Sequence, residues 1–351
     1  MKVNELGWMN DKLQRKGGKI LIIQTAFLGD VILLTPLIGA LRKRYPDCEL
    51  TAVTNKVWSD VISNLVDDVI PIDKRSIKAN PQEWKGLINT IRAEHFDLAL
   101  IPHRSFRSGW LAKQAGIPQR VGFDRGGGRY LHTIRVDYPQ FEYEGVRNLK
   151  LLVPLTDSRI IMKPKLKPSP DDFELVQSLI SDRKLHKTKY IVTAPGSVWK
   201  TKRWLINHYR SLINTIKDNH DINTLLLGSN DDKELCNSIA VKKNHSFAGD
   251  LTPLQSCVLI ENSEFVISGD TAPAHMATAM NKRQVVILGS TTPRFGFVGA
   301  DDNIRCIGLD LWCRPCTNHG RNSCPLIKGS LRCMSDISPS DIYNLVKDWL
   351  Q

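Results

Sequence analysis

The sequence predicts an α/β protein built as two doubly wound domains, and three observations carry that prediction. Short apolar runs alternate with helical stretches along both halves of the chain, the pattern of strand-helix-strand units. Lys163 to Pro170 (KPKLKPSP) breaks the alternation near the middle, and its prolines suit an extended connector. The length of 351 residues, 42% of them hydrophobic, is enough for about two ordinary cores. The divisions are therefore 1–18 as an N-terminal extension, 19–165 and 166–335 as the two domains, and 336–351 as a closing helix.

The stretch Lys19 to Leu41 (KILIIQTAFLGDVILLTPLIGAL) organises the first domain. Ile20 to Ile23 is a β-branched run of the kind buried on both faces of a parallel sheet, and Gln24 and Thr25 end it. Gly29 frees the turn, and from Val31 the spacing of Leu33, Leu34, Leu37, Ile38 and Leu41 predicts a helix, with Pro36 in its first turn or at a kink. Asp30 then lies between strand end and helix start, at the edge where open α/β sheets bind ligands. By position alone it is equally a helix cap.

Further strands are expected at Glu49–Thr54, Val69–Ile72 and Asp97–Pro102, the last after an amphipathic helix near Gln82–Arg92. Between His103 and Arg135, seven cations (Arg104, Arg107, Lys113, Arg120, Arg125, Arg129, Arg135) face Asp124 alone. With Gly126-Gly127-Gly128 as a flexible loop, they can close around an anion; a plain basic surface is the alternative.

In the second half the pattern predicts strands at Tyr190–Ala194, Asn223–Gly228, Phe265–Gly269 and Gln284–Leu288. Helices are expected at Ile206–Lys217, Asp231–Val241, Thr252–Ile260, Ala274–Met280 and Ser338–Leu350. Three strand-end loops carry polar groups suited to a phosphate. They are Pro195-Gly196-Ser197 followed by Lys200, Lys202 and Arg203; Gly228-Ser229-Asn230; and Ser268 to His275, which opens a helix. Each taken singly is ordinary turn chemistry, and recurrence at successive strand ends strengthens the case. Neither G-x-G-x-x-G after a strand nor a P-loop occurs.

The net charge of +12 implies anionic partners: phosphates, a nucleic acid or an acidic membrane face. Helix-turn-helix, RNP and zinc-finger spacings are lacking, which disfavours nucleic acid. No apolar run suits a membrane span, and the first eighteen residues lack a signal core, so a cytoplasmic protein is expected. Of eight cysteines, Cys313, Cys316, Cys324 and Cys333 are spaced C-x2-C-x7-C-x8-C within a Cys-rich loop at 313–333. They read either as reduced thiols or as a structural zinc site, with no catalytic part because they follow the last motif.

Three groups of residues together resemble the heptosyltransferases of glycosyltransferase family nine: Phe27-Leu28-Gly29-Asp30 leading to Leu34-Thr35-Pro36-Leu37; Pro195-Gly196-Ser197 with Lys202-Arg203-Trp204; and Gly269-Asp270-Thr271-Ala272-Pro273-Ala274-His275 with Leu288-Gly289-Ser290-Thr291. The resemblance runs from about Lys19 to the C-terminus. It implies a GT-B fold, two facing Rossmann-like domains with a cleft between them, the first holding the acceptor and the second a nucleotide-sugar. It further implies ADP-heptose as donor, the inner core of lipopolysaccharide as acceptor, and work at the cytoplasmic face of the inner membrane as a peripheral protein.

Carried over by residue, the resemblance makes Asp30 the general base and Lys202 the cation at the leaving diphosphate. Gly196, Ser197, Gly228, Asn230, Leu251, Asp270, Thr271, Ala272 and His275 become donor-binding, and Thr25, Gly29, Arg104, Arg107 and Arg120 acceptor-binding. Ala272 stands where the family commonly has Gly. One base and one stabilised leaving group suffice for an inverting displacement, and with no D-x-D in the chain metal-independent transfer without a required cofactor is expected. A family member using another sugar or acceptor, and a non-catalytic nucleotide-sugar or anion-binding module, are the rival readings.

Overall fold

The structure is a computed structural model that describes residues 7–14, 17–156, 161–186, 188–326 and 330–350. It divides into two compact units between Lys165 and Leu166.

In the first unit six parallel strands lie in the order β3-β2-β1-β4-β5-β6. They are β1 Lys19–Ile23, β2 Glu49–Asn55, β3 Asp68–Ile72, β4 Leu98–Ile101, β5 Gln119–Phe123 and β6 Ile134–Val136. β1 is central, with Ile20 opposite Leu50 on one side and Leu98 on the other. Its alternation sends Leu21 and Ile23 into a core with Ala99, Ile101, Ile88, Ile91 and Leu111. Residues 7–14 form a helix that docks on this unit: Leu13 is buried and Asn10 accepts a hydrogen bond from the Tyr45 hydroxyl at 2.8 Å.

Three expectations for this unit are corrected. The stretch after β1 is two helices, Leu28–Ile32 and Thr35–Arg44, and Pro36 sits in the first turn of the second, where its missing N–H costs nothing. Asp30 is thus inside a helical first turn. The cation-rich segment contains β5 and β6, which charged and small residues such as Arg120, Gly122 and Arg135 hid from an apolar-run reading. Gly126 to Gly128 form no loose loop. Gly126 has φ +86°, and a Cβ there would stand 2.4 Å from the Arg104 carbonyl oxygen; one on Gly128 would stand 2.9 Å from that of Ser105.

In the second unit five parallel strands lie in the order β11-β10-β9-β7-β8. They are β7 Tyr190–Ala194, β8 Asn223–Leu226, β9 Val266–Gly269, β10 Gln284–Ile287 and β11 Ile304–Ile307. β11 escaped sequence reading because its residues are only partly buried at the sheet edge. The proline-rich connector ends sooner than its composition suggested: Ser169 caps a helix at Pro170–Asp182, exchanging bonds with Asp172, and Pro170 occupies its first turn. Asp231–Val241 is a 3₁₀ turn at Asn230–Asp232 followed by a helix at Lys233–Ile239. The closing helix is Pro339–Val346 with a 3₁₀ turn at Lys347–Trp349. Its Ile342 and Val346 complete a core with Ile213, Ile216, Phe265 and Val285.

Strand order fixes where each sheet can hold a ligand. In the first, the order in which successive strands are added reverses between β1 and β4; in the second, between β7 and β9. Loops leaving such a pair diverge to opposite faces and open a crevice at the carboxyl ends.

Candidate functional site

At the β1/β4 switch point, Asp30 follows β1 and His103 and Arg104 follow β4. Asp30 Oδ2 accepts from the Phe27 N–H at 3.2 Å, so the carboxylate does serve as a first-turn cap. Burial raises the Asp30 pKa; the Phe27 N–H, then Arg104 and Lys74, oppose that without reversing it. Arg104 stacks over the Tyr138 ring at 4.3 Å, leaving its charge in reach of Asp30. Lys74 and Arg107 act on each other, and buried Glu144, paired with Arg147, lies in electrostatic reach of Asp30 and Arg104, so this end of the sheet gathers two carboxylates among four cations.

Thr25, buried at the end of β1, hydrogen-bonds His103 Nδ1 at 3.0 Å, and Ser108 meets the same nitrogen at 2.8 Å. Burial, with Lys74 and Arg104 nearby, lowers the His103 pKa to about 4, so the ring is neutral at pH 7. Gly29 lies half-buried in the first turn beside Asp30. Arg107 is exposed at the start of the helix Phe106–Gln114. Arg120 is otherwise employed: its guanidinium donates to the carbonyls of Leu131 at 2.8 Å and Ile117 at 2.6 Å, tying β5 to the loops around it.

At the β7/β9 switch point the sequence motifs meet directly. Lys202 Nζ donates to the Asp270 carboxylate at 2.8 Å and to the Asp270 carbonyl at 3.0 Å. Both side chains are nearly buried, at 10% and 5% exposure, so water screens the pair little. Thr291 Oγ1 donates to the same carboxylate oxygen at 3.1 Å. Burial favours the neutral acid, yet Lys202, His275 and Thr291 together hold Asp270 below the usual carboxylate range. Two of the three ammonium hydrogens of Lys202 thus go to Asp270.

Thr271 precedes the helix Ala272–Ala279, whose opening amides belong to this same loop. Ala272 lies outside the left-handed residues, so glycine is not required by backbone conformation there. His275 is buried beside Asp270, its pKa lowered to about 4 by burial despite the carboxylate.

Gly196 and Gly228 have a different reason from the phosphate approach their loops suggested. Both pack on Asp232, whose carboxyl carbon would stand 2.4 Å from a Cβ on Gly196 and whose Cβ would stand 2.8 Å from one on Gly228. Ser197 Oγ accepts from the Trp199 N–H at 3.1 Å. Gly249, with φ +73°, brings Asn230 against the turn leading to half-buried Leu251.

The sequence reading missed Lys74, His103 and Thr291. Lys74 and His103 each follow a strand end, and Thr291 lay inside a quoted motif without a role; strand-end position was the signal available for all three. The Cys-rich loop, expected to stand apart from the chemistry, backs the loop after β10 that carries Thr291: the Cys316 N–H donates to Ser290 O at 3.2 Å. Cys313, Cys316 and Cys324 lie within electrostatic reach of Cys333, but among the described residues no three His, Cys, Asp or Glu side chains converge to hold a metal.

Two parallel-sheet units with polar groups at both switch points define a GT-B glycosyltransferase fold. A solved family 9 glycosyltransferase of Veillonella parvula superposes with a TM-score of 0.83 at 18% identity, covering 95% of this chain and 97% of that one. ADP-heptose lipopolysaccharide heptosyltransferase II of Escherichia coli does so at 0.76 and 24%, covering 95% and 98%. The chain belongs to glycosyltransferase family 9: the family model, described as glycosyltransferase family 9 (heptosyltransferase), matches residues 84–326. Among named relatives, lipopolysaccharide heptosyltransferase 2 of Escherichia coli (strain K12) is 25% identical over 298 residues, 79% of this chain and 84% of the relative.

The depressed histidines give the fold an acid limit. Between pH 6.5 and about 4 the unfolded chain binds a proton at His275 that the folded chain does not, so stability is full above that window and falls as pH drops through it. His103 and His132 act in the same sense in the first unit. Replacing His275 with Gln is expected to flatten the decline of the urea midpoint of the second unit across that window, removing about 3 kcal/mol of pH dependence. An unchanged slope would show that His275 titrates normally.

Proposed function

We propose that this glycosyltransferase moves a heptose from ADP-heptose to the inner core of lipopolysaccharide by a single inverting displacement. Support comes first from the names of its relatives and then from the two half-sites. The observation that carries the reading is the Lys202–Asp270–Thr291 cluster, because a buried, oriented ammonium at a switch point suits a departing diphosphate. In this reading an acceptor hydroxyl oxygen attacks the anomeric carbon, its proton passes to Asp30, and the bond to ADP breaks as negative charge grows on the diphosphate. Lys202 and the amides at the start of the Ala272–Ala279 helix receive that charge. A raised pKa makes Asp30 a better base than an ordinary carboxylate. Arg104, Arg107 and Lys74 suit the anionic groups of the acceptor.

Asp30→Asn keeps the shape and loses the basicity, so kcat is expected to fall by about 10²–10⁴ with donor KM little changed. Lys202→Ala is expected to raise the donor KM and lower kcat, whereas Arg107→Ala raises the acceptor KM alone. Steady-state kinetics with both substrates varied check all three. Near-native turnover by Asp30→Asn would reduce that residue to a helix cap.

We also propose that transfer needs no metal, since the chain has no D-x-D pair to bind one at the diphosphate. Activity is expected to survive brief dialysis against EDTA; prompt loss restored by Mg²⁺ would overturn this. A slow loss of thermal stability under chelation would instead reveal zinc on the four cysteines.

Peripheral association with the inner membrane, on its cytoplasmic side, completes the reading. Among the described residues no helix is long and apolar enough to cross a membrane. Residues 1–165 hold 26 Lys and Arg against 17 Asp and Glu, so most of the positive charge is on the first unit. Exposed Phe106 and Tyr130 sit beside Arg107 and Arg129, a composition suited to an anionic interface. The protein is expected to float with vesicles containing phosphatidylglycerol and to be released by salt; equal behaviour with neutral vesicles would exclude an electrostatic attachment.

A further inference from the structure

The carbonyl oxygens of the loop after β10 are held from one side by a single short segment. Arg314 donates through Nη2 to the carbonyls of Leu288 at 2.9 Å and Thr291 at 3.0 Å, and through Nε to that of Gly289. The Cys316 N–H takes the remaining one, Ser290, at 3.2 Å. Four consecutive carbonyls, Leu288 to Thr291, are thereby fixed by residues 314–316.

The same segment reaches the other side of the cluster. Arg321 and Thr201 exchange two bonds, Thr201 N–H to Arg321 O at 3.0 Å and Arg321 N–H to Thr201 Oγ1 at 2.8 Å. Thr201 and Ser290 hydroxyls meet at 2.9 Å in a buried contact. Gly320, with φ +114°, allows the chain to lie on Trp199, where any Cβ would stand 2.6 Å from that side chain. Thr201 precedes Lys202, and Thr291 bonds Asp270, so both arms of the Lys202–Asp270 pair are anchored to one strut, residues 314–321.

We infer that Arg314 is a positioning residue for the donor half-site, and that the Cys-rich loop serves as the strut that holds Thr291, Asp270 and Lys202 in register for a nucleoside diphosphate. A guanidinium is required because one planar group must reach several carbonyls at once, which an ammonium on a flexible stem does not do. This rests on the donor reading given above, and the test separates the two.

ADP binding by calorimetry, thermal midpoint, and donor and acceptor KM are measured for Arg314→Gln, Arg314→Lys, Thr291→Val, Lys202→Ala and Val346→Ala. The last removes core volume in the closing helix, away from the strut. Arg314→Gln is expected to weaken ADP binding and raise donor KM by about ten- to a hundredfold with acceptor KM unchanged, and Arg314→Lys to recover only part of it. Thr291→Val is expected to follow the same direction and supplies the test should Arg314→Gln fail to fold. Val346→Ala is expected to lower the midpoint and leave ADP affinity intact. If Lys202→Ala weakens ADP binding while Arg314→Gln and Thr291→Val do not, or if Val346→Ala shifts ADP affinity as much as they do, the positioning role is overturned. If Lys202→Ala binds ADP as the native protein does, it is the donor reading that falls.

Discussion

Both sheets are wholly parallel, and that constraint governs the rest of the molecule. Every strand must be followed by a crossover, so loops collect at the carboxyl edge and only a reversal of strand order leaves space between them. Each unit has one such reversal, and the groups with chemical potential stand beside it: Asp30, His103 and Arg104 in the first, Lys202 and Asp270 in the second. Buried strands such as β1 and β4 make these positions rigid, because the residues just before them are locked by packing on both faces.

The Lys202–Asp270 pair illustrates what rigidity is for. A buried ion pair adds little net stability, since desolvating two charges offsets most of their attraction. Its value lies in orientation. Asp270 is fastened by Thr291 and Lys202, so the Lys202 ammonium is held in one place and need not reorganise to present its charge. The two half-sites are also tuned in opposite senses: Asp30 is pushed toward basicity by burial, while Asp270 is held as an anion by the Lys202 ammonium and the hydrogen bonds around it. One carboxylate suits proton transfer and the other suits scaffolding.

Structural and chemical duties overlap at several of these positions. Asp30 closes a helical turn and faces cations; Gly196 and Gly228 admit the Asp232 side chain in strand-end loops of the second unit. Arg120 shows the reverse case, a cation in a strongly basic stretch of the first unit that spends its donors on backbone carbonyls. Charge density in a sequence therefore overstates the charge a ligand can meet, because carbonyls left over at strand ends compete for guanidinium groups.

By itself the sequence determined the α/β class, the central strands, the Lys163–Pro170 transition, and the motifs around Asp30, Lys202 and Asp270. These are local signals: continuous apolar runs, proline, and strand-end glycine and aspartate express themselves within a few residues. It did not reveal β5, β6 and β11, because polar residues within short or edge strands leave no apolar run to read. Nor did it reveal which cations are committed to the backbone, why Gly196 and Gly228 must lack a Cβ, or that the cysteine segment grips the loop bearing Thr291. Those facts join residues far apart in the chain, such as Gly196 with Asp232 and Leu288 with Arg314, and only the packing of one loop against another decides them.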